Sequence, residues 1–288
     1  MDDGLHMFDT LPGVTMHLWM RCLFSIIKKI PQRFTTKQRN SSTTMGNKTV
    51  QRLMEEAPRG QPLDTVLLRD LGVSPALASH MVSAGWLQRL AQGTYMLTGD
   101  EPSRDGVLAY LSRRVPGLHV GGKTALDWQG VRHNIAFKER ILLWGYKPYA
   151  FQAWVAERIM YDYQTTKLFD GEFDQNTGLK SLPNGNKHVL VSIPERALLE
   201  MASDIGKTQS LEEARNLMGS MRNIRAHVLD DLLKHCTRVK VVKLVRDLGD
   251  AEQLKWAAVA HQHVARLGGA GKRWSNKTRS GIRLTLKP

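Results

Sequence analysis

Few side chains in this 288-residue chain stand at spacings that catalysis would use. The stretch Gly268 to Arg273, GGAGKR, holds the second glycine and the lysine of a phosphate-binding loop. It lacks the earlier glycine, and Arg273 stands where a Ser or Thr would hold Mg²⁺. It therefore reads as a basic glycine turn presenting Lys272 and Arg273. His261 and His263 are two residues apart, a spacing that faces opposite sides of a helix and cannot share a metal. Asp230-Asp231 and Glu212-Glu213 are adjacent carboxylates on helix surfaces, with no partner to push their pKa values apart as acid–base work requires. No Ser or Cys sits beside a His base in a nucleophile elbow. This pattern predicts no catalytic set, no metal and no cofactor.

The chemistry that remains is recognition, and it is concentrated in LDTVLLRDLGVSPALASHMVSAGWLQRLAQGTYML, Leu63 to Leu97. Thr65 to Leu71 has the spacing of a short helix burying Leu67, Leu68 and Leu71. Gly72 stands where that helix must stop and the chain needs a positive φ. Ser74 then caps a second helix, Ala76 to Ala84, with Pro75 in its first turn. After Gly85, Trp86 to Leu90 and Thr94 to Leu97 form a hairpin around Ala91-Gln92-Gly93. Helix, turn, helix and wing is the layout that places one helix in the major groove of DNA. With Leu77, Met81 and Val82 inward, the second helix turns Ala76, Ser79, His80 and Ser83 outward. These are small and polar, and none can grip guanine bidentately, so the pattern predicts modest base reading aided by phosphate contacts and DNA shape. Ser74 at the cap, Arg69 on the first helix and Arg89 and Gln92 on the hairpin complete the DNA-binding set.

The elements around this motif give a mixed α+β chain of two domains. A helix begins at Met45, with Val50, Leu53 and Met54 on one face. Residues 45–98 form the winged unit and 99–104, GDEPSR, a polar linker. Residues 105–288 make a larger, helix-rich α/β domain. Within it, helices are expected over Asp105–Val115, Lys123–Gln129, Leu211–Met221, Ala226–Cys236, Val239–Leu248 and Ala251–Leu267, with short strands at 140–146 and 187–193. Ser192 and Glu195 have the spacing of a capping box, and Ser210 and Glu213 repeat it. Residues 1–44 are expected to lie outside the fold as a disordered or mis-annotated extension, with Met45 the true start. The competing expectation is an amphipathic arm over 18–30 that docks on the body.

Forty-one basic and 27 acidic side chains give a formal charge of +14, which points to nucleic acid or another acidic partner. The charge is uneven: residues 45–100 carry five of each sign, whereas 201–288 carry 17 basic and 8 acidic side chains. Lys234, Arg238, Lys240, Lys243 and Arg246, joined by Lys272 and Arg273, are expected to form a docking surface or a second nucleic-acid contact. Cys22 and Cys236 stand far apart, which implies a reducing cytoplasm and no disulfide framework. No run of about 18 apolar residues is present to span a membrane. Two other classes of function stay open on these residues. One is an RNA-handling enzyme with a winged docking module, and the other is a non-catalytic basic adaptor for an acidic protein.

Five segments in order carry a resemblance. They are DLGVSPALASHMVSAGWLQRLAQGTYML, HVGGKTALDWQGVRHNI at 119–135, VSIPERALLEMASDI at 191–205, the stretch 211–250, and LGGAGKRWSNKTRSGIRLTLKP at the end. Over about 240 residues the chain resembles the AbiE-type abortive-infection antitoxins, the AbiEi-like transcriptional regulators. The first 44 residues match nothing in that family. The resemblance implies a repressor that binds inverted repeats in operator DNA and self-associates on it. It also implies a nucleotidyltransferase-type toxin as functional partner in a type IV system, counteracted by the C-terminal domain with or without direct contact.

Overall fold

In the computed structural model, the described residues are 42–131, 139–182, 185–267, 274–277 and 283–286. The expectation for residues 1–44 lies outside them except at 42–44, which belong to a helix that starts three residues before Met45, and Lys272 and Arg273 lie outside them too. Helix α1 (Ser42–Glu56) leads in. Leu53 is fully buried, but Met54 is 36% exposed and Ala57 takes the inward place expected of it. Strand β1 (Leu63–Asp64), α2 (Thr65–Asp70), α3 (Pro75–Ser83), β2 (Leu87–Ala91) and β3 (Thr94–Leu97) follow. β3 is the middle strand of an antiparallel sheet ordered β1-β3-β2, with Leu63 opposite Tyr95 and Leu87 opposite Leu97.

The helix boundaries have local causes. Asp64 ends β1 and caps α2, its Oδ1 accepting the Leu67 amide at 2.7 Å. Ser74 Oγ accepts the Leu77 amide at 3.2 Å with Pro75 in the first turn of α3. Gly72 between them has φ +84°, a conformation costly for any residue with a Cβ. Leu53, Leu63, Leu68, Val73, Ala78, Met81, Leu87 and Leu97 close a small core under this unit. Leu67 is only partly buried at its edge.

Residues 99–104 are tied down rather than loose. Asp100 pairs with Arg59 and accepts the Gly60 amide at 3.1 Å, and the Ser103 amide donates to the Gly60 carbonyl at 2.8 Å. Ser103 then caps α4 (Arg104–Arg114), whose residues from Gly106 to Leu111 are all buried. Five strands form a mixed sheet: β4 (His119–Val120), β5 (Ile141–Trp144), β6 (Tyr161–Gln164), β7 (Leu179–Ser181) and β8 (Leu190–Ser192), in the order β6-β5-β4-β8-β7. β5 with β6 and β4 with β8 are parallel, and the other pairs are antiparallel. Helices α5 (Gly122–Trp128) and α7 (Pro194–Asp204) pack on this sheet and α6 (Ala153–Arg158) on α4, while α8 (Leu211–Gly219), α9 (Ala226–His235) and α10 (Val239–Ala251) pack around α7, with α11 (Ala257–Arg266) against α9 and α10. Strands β9 (Trp274–Lys277) and β10 (Arg283–Leu286) pair as an antiparallel hairpin.

Helix α7 is the centre of this second core, with ten of its eleven residues buried. A helix buried on every side is usually apolar, yet α7 carries Glu195, Arg196, Glu200, Ser203 and Asp204 inside. The helix expected over 251–267 is interrupted: Gln253 has φ 53°, and Trp256, buried, donates its indole N–H to the Met221 carbonyl at 2.7 Å. Among the described residues no helix is long and apolar enough to cross a membrane.

Candidate nucleic-acid interface and buried carboxylate cluster

Helix α3 has two unlike sides. Ala78 and Met81 are buried and Leu77 and Val82 half-buried, which pins the helix to the small core. Ser74, Ala76, Ser79, His80 and Ser83 are all exposed. So are Arg69 on α2 and Arg89 and Gln92 on the hairpin. Ser83 Oγ donates back to the Ser79 carbonyl at 3.3 Å, which leaves the polar rim of the helix short and flat. Trp86, where α3 passes into β2, is 46% exposed, a large side chain not among the expected DNA-binding residues. Its chain position directly after Gly85, at a helix–strand junction, was the available signal.

The hairpin is held from behind. Thr94 Oγ1 lies 2.8 Å from the Tyr110 hydroxyl and donates to Gln152 Oε1 at 3.0 Å. Gln152 Oε1 also accepts from Tyr110 (3.1 Å) and from the Trp154 indole (2.8 Å), and its Nε2 donates to the Gln92 carbonyl at 3.4 Å. Leu90 and Ala91 pack against the larger core. The turn that carries Gln92 is therefore set by residues on α4 and at the start of α6.

The expected basic surface is not a single face. Lys234 and Arg238 are exposed, and Arg238 Nε donates to the Lys167 carbonyl at 2.8 Å. Lys240 Nζ donates to the Ser203 and Ile205 carbonyls at 3.1 and 2.6 Å, and burial lowers its pKa to about 8. Arg246 is partly buried beside Asp247, 2.7 Å away. Lys243 is fully buried, so it is no part of a docking surface in this fold. The physical reason is that α10 packs against α7, α8, α11 and β10, so its 240–243–246 stripe is covered on one side.

A cluster that sequence patterning missed sits deeper, around Glu200. Glu200 Oε1 receives His119 Nε2 and Arg196 Nε, each at 2.9 Å. Oε2 receives the Gly122 amide at 3.0 Å and Ser192 Oγ at 2.8 Å. Burial opposes ionisation of this carboxyl, but the charges and donors of His119 and Arg196 and the Gly122 amide overcome it and hold its pKa at about 2. The segments 119–135 and 191–205 thus meet on one carboxylate. Ser192 is consumed there and does not cap α7, whose first turn begins at Ile193 without a side-chain cap. Glu195 instead clasps Arg225 at 2.8–2.9 Å. At α8, half of the expected box forms: Ser210 Oγ accepts the Glu213 amide, while the Glu213 carboxylate pairs with Lys123 and Gln209.

The histidines read as a spaced pair each have a separate aspartate: His261 meets Asp250 at 2.9 Å and His263 meets Asp230 at 2.7 Å. Among the described residues no group of three or more His, Cys, Asp or Glu side chains could hold a metal ion. Cys236 is buried, and that burial pushes its thiol up to about 11.

Two short helices joined at a glycine turn and followed by a hairpin therefore precede a larger mixed-sheet part of the chain. Two family models account for almost all of the chain. Residues 46–137 match the N-terminal domain of the AbiEi antitoxin transcriptional regulators, and residues 138–285 match the transcriptional regulator, AbiEi antitoxin, of type IV toxin–antitoxin systems. The chain belongs to this AbiEi antitoxin family. No curated protein matches it. Among solved structures it is similar to the RV2827C protein from Mycobacterium tuberculosis at 15% identity and a TM-score of 0.49, covering 77% of this chain and 81% of that one.

Proposed function

We propose that this protein is an operator-binding autorepressor and the antitoxin of a nucleotidyltransferase-type toxin, working in the cytoplasm with no catalytic step of its own. The winged helix-turn-helix is assigned to residues 45–98 and the toxin-counteracting domain to 105–288. The observation that carries the reading is the two-sided α3. One face fills the small core, while Ala76, Ser79, His80 and Ser83 stand exposed, as do Arg89 and Gln92 of the hairpin. Ser74 and Arg69 are exposed too and are assigned to phosphates, the role that sets register rather than sequence. The exposed cations of the larger domain, Lys234 and Arg238 among them, supply attraction that the neutral 45–100 segment lacks.

The test is an anisotropy titration of the full-length protein on the duplex upstream of its own reading frame, against a scrambled duplex of equal length. Tighter binding to the upstream duplex by about 1,000-fold is expected for a specific site. Equal affinity for both would refute operator recognition. Co-expression with the product of the adjacent reading frame tests the antitoxin half: rescue of growth is expected, and unrelieved toxicity would contradict it.

A further inference from the structure

Beside the Glu200 cluster lies a cavity of about 330 Å³, within the roughly 300–1,000 Å³ range of small-molecule sites. Trp144, Tyr146 and Phe169 supply its aromatic wall, His119, Arg196 and Glu200 its polar side, and Lys167 stands at the rim. Charge and hydrogen bonding both leave this cavity short of an anion. The two ring nitrogens of His119 are already engaged, lying 2.8 Å from the Gly117 carbonyl and 2.9 Å from Glu200 Oε1. Arg196 and, at the rim, Lys167 stand against the single carboxylate of Glu200, which is the one acid among the described lining residues. Arg196 Nε and Nη1 are fully used by Glu200 and by the Gln175 and Thr177 carbonyls. Nη2 meets only His119 Nε2, at 3.5 Å, so a guanidinium 3% exposed keeps a donor without an oxygen acceptor among the described residues. Tyr146 stays at the mouth because it lies over Gly117, where a Cβ would fall 2.2 Å from its ring; Gly117 also needs φ +71°.

We propose that this cavity binds a small organic anion carrying a flat ring. The anionic group meets Arg196 Nη2 and Lys167, and the ring packs against the aromatic wall. The site is remote in sequence from α3 and does not depend on DNA recognition.

Calorimetric titration of the full-length protein with AMP, benzoate, adenosine and sodium phosphate separates ring from charge. AMP or benzoate is expected to bind, with adenosine and inorganic phosphate at least about tenfold weaker, the size of one lost charge-assisted contact. Tyr146→Ala and Lys167→Ala alter side chains at the mouth and leave the buried cluster in place. Each is expected to weaken the ring-bearing anion by about tenfold. Absence of binding by all four probes, adenosine binding as tightly as AMP, or undiminished binding to both variants would overturn the proposal. Ser79→Asp serves as the control: it is expected to leave anion binding unchanged whatever it does to DNA.

Discussion

Asp204 closes α7 with both carboxylate oxygens buried and no hydrogen-bond donor to either among the described residues. The end of a helix is also the wrong place for a negative charge. Burial raises its pKa to about 7, with Lys207, at 3.9 Å, and Lys240 opposing the shift and Glu200 and Asp162 adding to it. Because the folded-state pKa lies above the unfolded one, the folded chain holds this proton longer. Stability is then lost as pH rises from about 4 to about 7. Asp204→Asn should therefore raise the melting free energy at pH 8 by on the order of 1 kcal/mol and change nothing below about pH 4. Equal melting temperatures for variant and parent at pH 8 would show the carboxylate to be better solvated than its surroundings imply. Glu200 has the opposite sign. Its pKa is held at about 2, so it contributes stability above its ordinary value of 4.5 that is lost as pH falls from there towards 2. Glu200→Gln leaves His119 and Arg196 buried without their anion, and a loss of about 3–5 kcal/mol at neutral pH is expected by denaturant melting. A loss below about 1 kcal/mol would mean that the cluster relaxes around the amide.

At the scale of elements, the hairpin and α3 differ in what holds them. Helix α3 is fixed by its own cap and core contacts, whereas the β2–β3 turn depends on Gln152, a residue well outside the hairpin. Gln152→Leu removes the acceptor shared by Thr94, Tyr110 and Trp154. It should cost about 1–3 kcal/mol of stability and weaken operator binding several-fold through a misplaced Gln92 and Arg89. Unchanged affinity in a folded variant would show that the hairpin does not touch DNA.

The same distinction explains what could be read in the chain. Ser74, Pro75, Gly72 and Gly85 are local signals, and they placed α2 and α3 within a residue of their ends. The two-residue strands β1 and β4 are too short to carry any periodicity, and β6 and β7 are half-exposed with no clean alternation. Glu200 was invisible because two of its four partners, His119 and Gly122, lie 81 and 78 residues away in the chain. The basic stripe on α10 misled because composition reports charge and says nothing of what packs over it.

Over the whole molecule, the proposed DNA reader carries no net charge, while residues 201–288 carry a net +9. Attraction to phosphate must then come chiefly from the larger domain. A fragment ending at residue 100 should bind the operator more weakly and with a shallower salt dependence than the full-length protein, since fewer counterions are released. A fragment with the full salt slope would assign all phosphate contacts to the N-terminal segment. The hairpin's packing through Leu90, Ala91 and Thr94 onto the larger core gives a second reason for that fragment to be weak, because its wing loses its support. The central claim, that α3 lies in the groove of operator DNA, is tested most directly by an anisotropy titration of Ser79→Asp/His80→Asp on the upstream duplex. Both side chains are exposed, so the variant should fold and melt as the parent does, yet bind at least about 100-fold more weakly as two new negative charges face the phosphates. A folded double variant with parental affinity would contradict the account and move the DNA-reading surface away from α3.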